Sequence, residues 1–151
     1  MRLFVRQQTN GKDRMSEPAP PLLKPALFAR QEGDLPVLLG GRCECGFVFF
    51  PMQTFGCERC GRVGDALQPK SLRGRGRLRA AATVHVHADP HRKAPFVVGT
   101  IELDDGPVIR TLLLDAPPDH AAPGTPVEAV LIPIDTDAGR MLDLRFRAVQ
   151  S

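Results

Sequence analysis

The sequence predicts a mainly β protein in which a helical N-terminal arm leads into a cysteine ribbon and then a five-stranded barrel. Three observations predict it. All four cysteines fall in one stretch, "RCECGFVFFPMQTFGCERCG", residues 42 to 61. From about residue 70 the apolar residues come in short strand-like runs separated by turn signals. Gly and Pro, 14 and 15 of the 151 residues, make the chain rich in turns while the 25 % charged fraction stays that of an ordinary folded protein. A chain of this length, 42 % hydrophobic, holds one modest core, or a small core with an appended module. The expected division is a flexible basic and Pro-rich tail over 1–19, a helical arm over 20–39, the ribbon over 40–66 and the barrel over 67–151.

The tail carries the whole net charge of +3: "MRLFVRQQTNGKDR" sets Arg2, Arg6, Lys12 and Arg14 against Asp13. Beyond it acids and bases balance, so the body has no global field that steers it to nucleic acid or an anionic membrane. The tail lacks an apolar signal core and no stretch reaches the ~18 apolar residues of a membrane span, which gives the expectation of a cytoplasmic protein. Met15 opens a start of its own, "MSEPAPPLLKP", so residues 1–14 are read as a mobile end or an over-long gene start.

The arm, "SEPAPPLLKPALFARQEGD", begins extended and then offers a short helix, with Pro25 near its first turn and Gly33 beyond its end. Leu23, Leu27 and Phe28 would share one side, which must dock on the rest of the chain or on a partner, because so short a helix is unstable alone.

In the ribbon, a cytoplasmic address argues against disulfides. Four thiolates in two pairs suit tetrahedral zinc, with Cys43, Cys45, Cys57 and Cys60 as ligands and Zn2+ in a structural role. Buried free thiols and an iron site of electron-carrier type are the alternatives. Cys57-Glu-Arg-Cys60-Gly61 is a C-x-x-C-G knuckle, whereas Cys43-Glu-Cys45-Gly46 is one residue shorter. Between them "FVFFPMQTF" is an apolar run stopped by Pro51, and Phe49, Phe50 and Pro51 are expected to form an apolar partner surface, since so small a ribbon has little core to hide them in.

Downstream, "RLRAAATVHVH", "PFVVGTIELDDGPVIRTLLLD", "PVEAVLIPI" and "RMLDLRFRAV" supply five strands, two of them joined by the hairpin signal Asp104-Asp105-Gly106. In the last strand Leu142, Leu144 and Phe146 alternate with Asp143, Arg145 and Arg147, which predicts one face buried and the other in water. Five short antiparallel strands fit a small closed barrel such as an OB-fold. The prolines of "DAPPDHAAPGTP" leave room for little more than a turn of helix between the third and fourth strands.

Nothing in the chain has the spacing of a nucleophile with its base. His85 and His87 would project from one face of a strand, and with His91 they are read as a surface group rather than a second metal site. In "LRGRGRLR" the side chains of Arg73, Arg75, Arg77 and Arg79 would point one way, a row suited to phosphates, to an acidic partner surface, or simply to a solvated face.

On these residues the chain resembles the thiolase-associated proteins known as acyl-CoA-associated zinc-ribbon proteins, over about residues 20 to 149. The likeness rests on the two knuckles and the aromatic-Pro stretch between them, on "LRGRGRL" with its Gly-x-Gly, on "PFVVGTIELDDGPVI", and on "GTPVEAVL" and "LRFR". It departs in the shortened first knuckle and in Met52, where a second proline is common. The resemblance implies an N-terminal helix, a rubredoxin-like zinc ribbon and an OB-fold. It also implies a noncatalytic accessory subunit bound to a thiolase-like or enoyl-CoA hydratase-like protein, in bacterial degradation of steroid side chains or aromatic compounds or in related acyl transfer. A coenzyme A thioester would then be shared at the interface, with its phosphates at Arg73 to Arg79. Nucleic-acid binding is the runner-up; the absence of Trp and Tyr and the neutral body weigh against it.

Overall fold

The strands form two sheets, seen in a computed structural model that describes residues 17–115 and 122–149. Expectations for the basic tail and for most of the proline-rich link before residue 126 lie outside the described residues.

The first sheet is organised by β2 (Val37–Cys43). Its two edges are used differently: β4 (Leu67–Arg73) pairs with its whole length, from Val37↔Arg73 to Cys43↔Leu67. On the other edge β1 (Phe28–Ala29) takes Val37 and Leu38, and β3 (Val48–Phe49) takes Gly41 and Arg42. A short 3-10 turn, Gly64–Ala66, leads into β4.

The helix expected in the arm is reduced to one turn. Leu27 and Phe28 donate to the Lys24 carbonyl at 2.9 and 3.3 Å, after which the chain straightens into β1. The free edge of β2 and the core beneath it offer Phe28 a ladder partner and a place 3 % exposed, which a helix too short to hold itself cannot match. Of the three residues expected on the apolar side, Phe28 enters the main core and Leu27 packs against it, but their neighbour there is Leu22 and not Leu23.

The second sheet closes on itself in the order β5-β6-β7-β9-β8, with β5 Arg75–Val84, β6 Phe96–Leu103, β7 Val108–Leu113, β8 Pro126–Thr136 and β9 Gly139–Ala148. Three strands meander, the fourth closes on the first, and the last lies parallel to the third: this is OB-fold order. The Asp104-Asp105-Gly106 turn joins β6 to β7 as expected, with Gly106 at φ 118°. β5 ends at Val84, before the histidines, which removes His85 and His87 from a shared strand face.

The two sheets share one core. Phe28, Leu38 and Leu72 of the first pack with Leu78, Ile101, Leu103, Val127, Ala129 and Phe146 of the barrel. The chain crosses between them at Gly74, and the Gly-x-Gly spacing has a steric cause. An added Cβ at Gly74 would lie 2.5 Å from the Pro36 carbonyl oxygen, and one at Gly76 2.3 Å from that of Glu102, so backbones approach here closer than any side chain allows.

The barrel's weak place is its seam. β7 and β9 pair only at Leu113↔Phe146, with Leu114 N–H donating to the Phe146 carbonyl. Toward the start of β9 its open edge is taken by the arm, where Leu142 donates to the Pro21 carbonyl and accepts from Leu23, both at 2.8 Å. Between these points lies Leu144. Its N–H is met at 2.9 Å by Asp143 Oδ1, and its carbonyl by Arg145 at 3.1 Å, while Asp143 and Arg145 pair with each other. Asp143, expected in water, is therefore buried at 6 % exposure: the side chains on either side of Leu144 stand in for a missing ladder strand.

Replacing Asp143 by Ala should lower the unfolding free energy by about 3 kcal/mol, because it leaves a backbone donor and a half-buried guanidinium without their partner. Asp143→Asn, which keeps an acceptor, should lose less. Urea unfolding of the two variants checks the order, and equal midpoints would contradict this account of the seam.

Candidate metal centre

The four cysteines are delivered by two knuckles that leave the first sheet at neighbouring points. Cys43 ends β2 and Cys57 follows the hairpin, each with its N–H donating at 2.8 Å to a carbonyl further along, of Phe47 and Arg62 respectively. Each knuckle closes on a glycine in the left-handed region, Gly46 at φ 93° and Gly61 at φ 76°. Gly46 donates back to Cys43 across three residues, whereas Gly61 donates back to Cys57 across four, both at 2.8 Å. The residue missing from the first knuckle is thus absorbed within its own turn and does not move the sulfur out of reach.

The result is one group of four sulfurs, all within 4.8 Å of one another, with Cys43 Sγ 3.6 Å from Cys60 Sγ and Cys45 Sγ 3.7 Å from Cys57 Sγ. A tetrahedral centre with Zn–S bonds of about 2.3 Å would set its sulfurs about 3.8 Å apart, so the residues present fit such a metal. Cys43 and Cys57 are buried, Cys45 half-buried and Cys60 exposed. The Cys45 N–H lowers the Cys43 thiol, but burial and the sulfurs of Cys60, Cys45 and Cys57 outweigh it and push it up to about 12. Burial raises Cys57, yet the N–H groups of Cys60 and Arg59 and the sulfurs of Cys43 and Cys45 bring it down to about 7. One sulfur is poised as thiolate while its neighbour resists a second charge. A divalent cation resolves that conflict by accepting all four.

The aromatic stretch between the knuckles is divided. Phe49, expected on the surface, is buried at 7 %, because its ring lies over Gly41, where an added Cβ would meet Cζ at 2.3 Å. It forms a small core with Cys43, Cys57 and Leu67 and stacks on Phe47 at 6.5 Å. Phe50 is half-buried, and Pro51 is exposed. The outward aromatic is Phe55, 88 % exposed, with Val63 at 61 % on the same ribbon. Phe55 lies beyond Pro51 in a loop whose turn is held by Gln53, which accepts from the Phe55 and Gly56 N–H groups, a local bond that periodicity does not reveal.

The basic row is extended as expected, with Arg73 in β4 and Arg75, Arg77 and Arg79 in β5, all exposed, while Gly74, Gly76 and Leu78 between them are buried. Most of it is engaged by the chain itself. Arg73 faces Asp105 at 3.8 Å, Arg77 donates to the Gly124 carbonyl at 3.1 Å, and Arg79 pairs with Glu102 at 2.7 Å. Arg75 makes no ion pair among the described residues. His85, His87 and His91 are exposed; His87 accepts from the Asp89 N–H and lies edge-on to Phe96. Among the described residues the four cysteines are the one cluster suited to a metal.

A knuckle ribbon with a four-sulfur group, fused through a shared core to an OB-fold barrel, defines the class. A family profile described as "ChsH2, C-terminal OB-fold domain" matches residues 70–131. A DUF35 domain-containing scaffold protein of Methanocaldococcus jannaschii is 36 % identical over 102 residues, 66 % of this chain and 71 % of that protein. Proteins of the same description from Methanothermobacter thermautotrophicus and Pyrococcus furiosus are 34 % and 27 % identical, over 62 % and 74 % of this chain and 70 % and 83 % of theirs. A solved structure titled "Ltp2-ChsH2(DUF35) aldolase" superposes with a TM-score of 0.58 at 24 % identity, covering 74 % of this chain and 84 % of that one, a likeness of fold. The chain belongs to the ChsH2/DUF35 family of zinc-ribbon and OB-fold proteins.

Loading with cobalt(II) should give about one metal per chain and the thiolate charge-transfer absorption of a four-sulfur site. Cys57→Ser should abolish that spectrum, and Cys45→Ser should weaken it; a spectrum unchanged in both variants would remove these sulfurs as ligands.

Proposed function

We propose that this chain is a noncatalytic accessory subunit, a cytoplasmic scaffold that holds a thiolase-like or hydratase-like acyl-CoA enzyme, and that zinc at Cys43, Cys45, Cys57 and Cys60 keeps its ribbon in shape. The carrying observation is the likeness to proteins described as DUF35 scaffold proteins, which covers about 70 % of their length and is not confined to the barrel. The aldolase assembly whose title joins a DUF35 protein to Ltp2 agrees with an enzyme partner. In this reading the reactive groups belong to the partner, and the acyl-CoA thioester lies where the two chains meet.

The ribbon offers the apolar side of that contact. Phe55 and Val63 stand in water on a module whose small core is already filled by Phe49, and Pro51 extends the accessible surface beside Phe50. Apolar groups gathered on one small module favour a protein partner over solvent. The row from Arg73 to Arg79 offers an acidic partner surface a line of exposed cations, although Asp105 and Glu102 already hold its two ends.

Affinity purification of the full chain from its native cells, with mass spectrometry and metal analysis of the same sample, tests the proposal. The expected result is a near-stoichiometric thiolase-like or hydratase-like protein and about one zinc per chain, with recovery of the partner reduced about tenfold or more by Phe55→Ser. A chain recovered alone, or one carrying nucleic acid in place of an enzyme, would overturn it.

A further inference from the structure

The seam between β7 and β9 holds a pocket of about 230 Å³. The parallel register that pairs Leu113 with Phe146 would set Arg110 opposite Asp143 and Leu112 opposite Arg145, but the strands splay there and leave the space open. Four cations from four separate parts of the chain reach it: Lys24 from the arm, Arg92 from the loop after β5, Arg110 from β7 and Arg145 from β9. Asp143 is the one acid in its lining, and Arg145 already neutralises it. Among the described residues Lys24, Arg92 and Arg110 make no ion pair, so three positive charges face one small volume uncompensated.

The cations are also prepared for a ligand. Arg145 has a side chain only 16 % exposed, and its one nitrogen Nη1 serves both Asp143 and the Leu144 carbonyl, which leaves the donors on Nε and Nη2 available in a fixed plane. Arg92 is steadied over the Phe96 ring at 5.5 Å. Val98 and Leu112 add apolar surface to the lining. The volume is below the ~300–1,000 Å³ of sites for drug-sized ligands, so it suits a charged head group and not a whole molecule.

We propose that this pocket binds the phosphate group of a small phosphate ester or diphosphate, with Arg110, Lys24 and Arg92 closing on the anion and Arg145 held in place by Asp143. The site stands independently of the partner reading, and it differs from the Arg73 to Arg79 row, whose cations are largely matched by the chain's own groups. Fanned guanidinium and ammonium donors recognise phosphate oxygens from several directions, whereas a carboxylate would leave most of them unmet.

The test is calorimetric titration of the full, metal-loaded chain with pyrophosphate and with ADP. Saturable binding of one anion per chain is expected, weakened about tenfold or more by Arg110→Gln and by Lys24→Gln and unchanged by Arg75→Gln. Arg110, Lys24 and Arg75 are all exposed, so urea midpoints of the variants should match the parent and exclude unfolding as the cause. Equal affinity for the two probes assigns the site to phosphate alone; tighter ADP assigns it to a nucleotide ester. No saturable binding, equal loss in Arg75→Gln, or tighter binding of single-stranded DNA that the same variants abolish would overturn the proposal.

Discussion

A five-stranded barrel that closes through one parallel pair must do something about the strand edges that do not meet. Here the backbone of Leu144 is the critical point. On one side β8 satisfies β9 throughout, but on the other the ladder fails between Leu142 and Phe146. The arm supplies partners for Leu142, β7 supplies one for Phe146, and Asp143 and Arg145 supply them for Leu144. Without these substitutes the barrel would carry an unsatisfied buried donor beside its largest core residue, the fully buried Phe146. The course of the arm across β9, the burial of an acid and the open pocket next to it all follow from this one gap.

The second organising element is β2, which gives one edge to β4 and divides the other between β1 and β3. That division explains how so short a chain builds a ribbon. β3 needs only two residues because it has to hold Phe49 over Gly41 and then release the chain at Phe50. The knuckles are displayed where β2 ends and where the hairpin returns, so the sulfur group is set by the same sheet whose opposite end packs into the barrel.

Much of this was legible in the sequence because it rests on local signals. The five barrel strands follow from apolar alternation and the Asp-Asp-Gly turn, and the ligand group follows from cysteines clustered with glycines that only a tight turn requires. The rest depends on contacts remote in sequence. Alternation placed Asp143 in water, since nothing local shows that residues 21 to 23 cross β9 120 residues away. The arm read as a helix because Pro25, Leu23, Leu27 and Gly33 have helical spacing, and only the vacant edge of β2 turns Phe28 into a strand residue. The arginine row was geometrically right in its alternation, yet its ion pairs with Asp105 and Glu102 come from β6 and the turn after it. Phe49 looked exposed because a ribbon seemed too small to bury it; a glycine on the facing strand makes the space.

The passage from β4 to β5 has a mechanical consequence. Gly74 sits against the Pro36 carbonyl and the Ala129 side chain, and its own carbonyl accepts from the Ala129 N–H at 2.7 Å, while Leu72 and Leu78 on either side lie in one apolar mass. A bare glycine between two modules ordinarily suggests a swivel; this one is clamped. The ribbon and barrel therefore behave as one rigid bracket, and anything that grips both meets them already in their final relation. Association then need not freeze a hinge, and that saving in orientational entropy strengthens a contact without adding a single new atom to it.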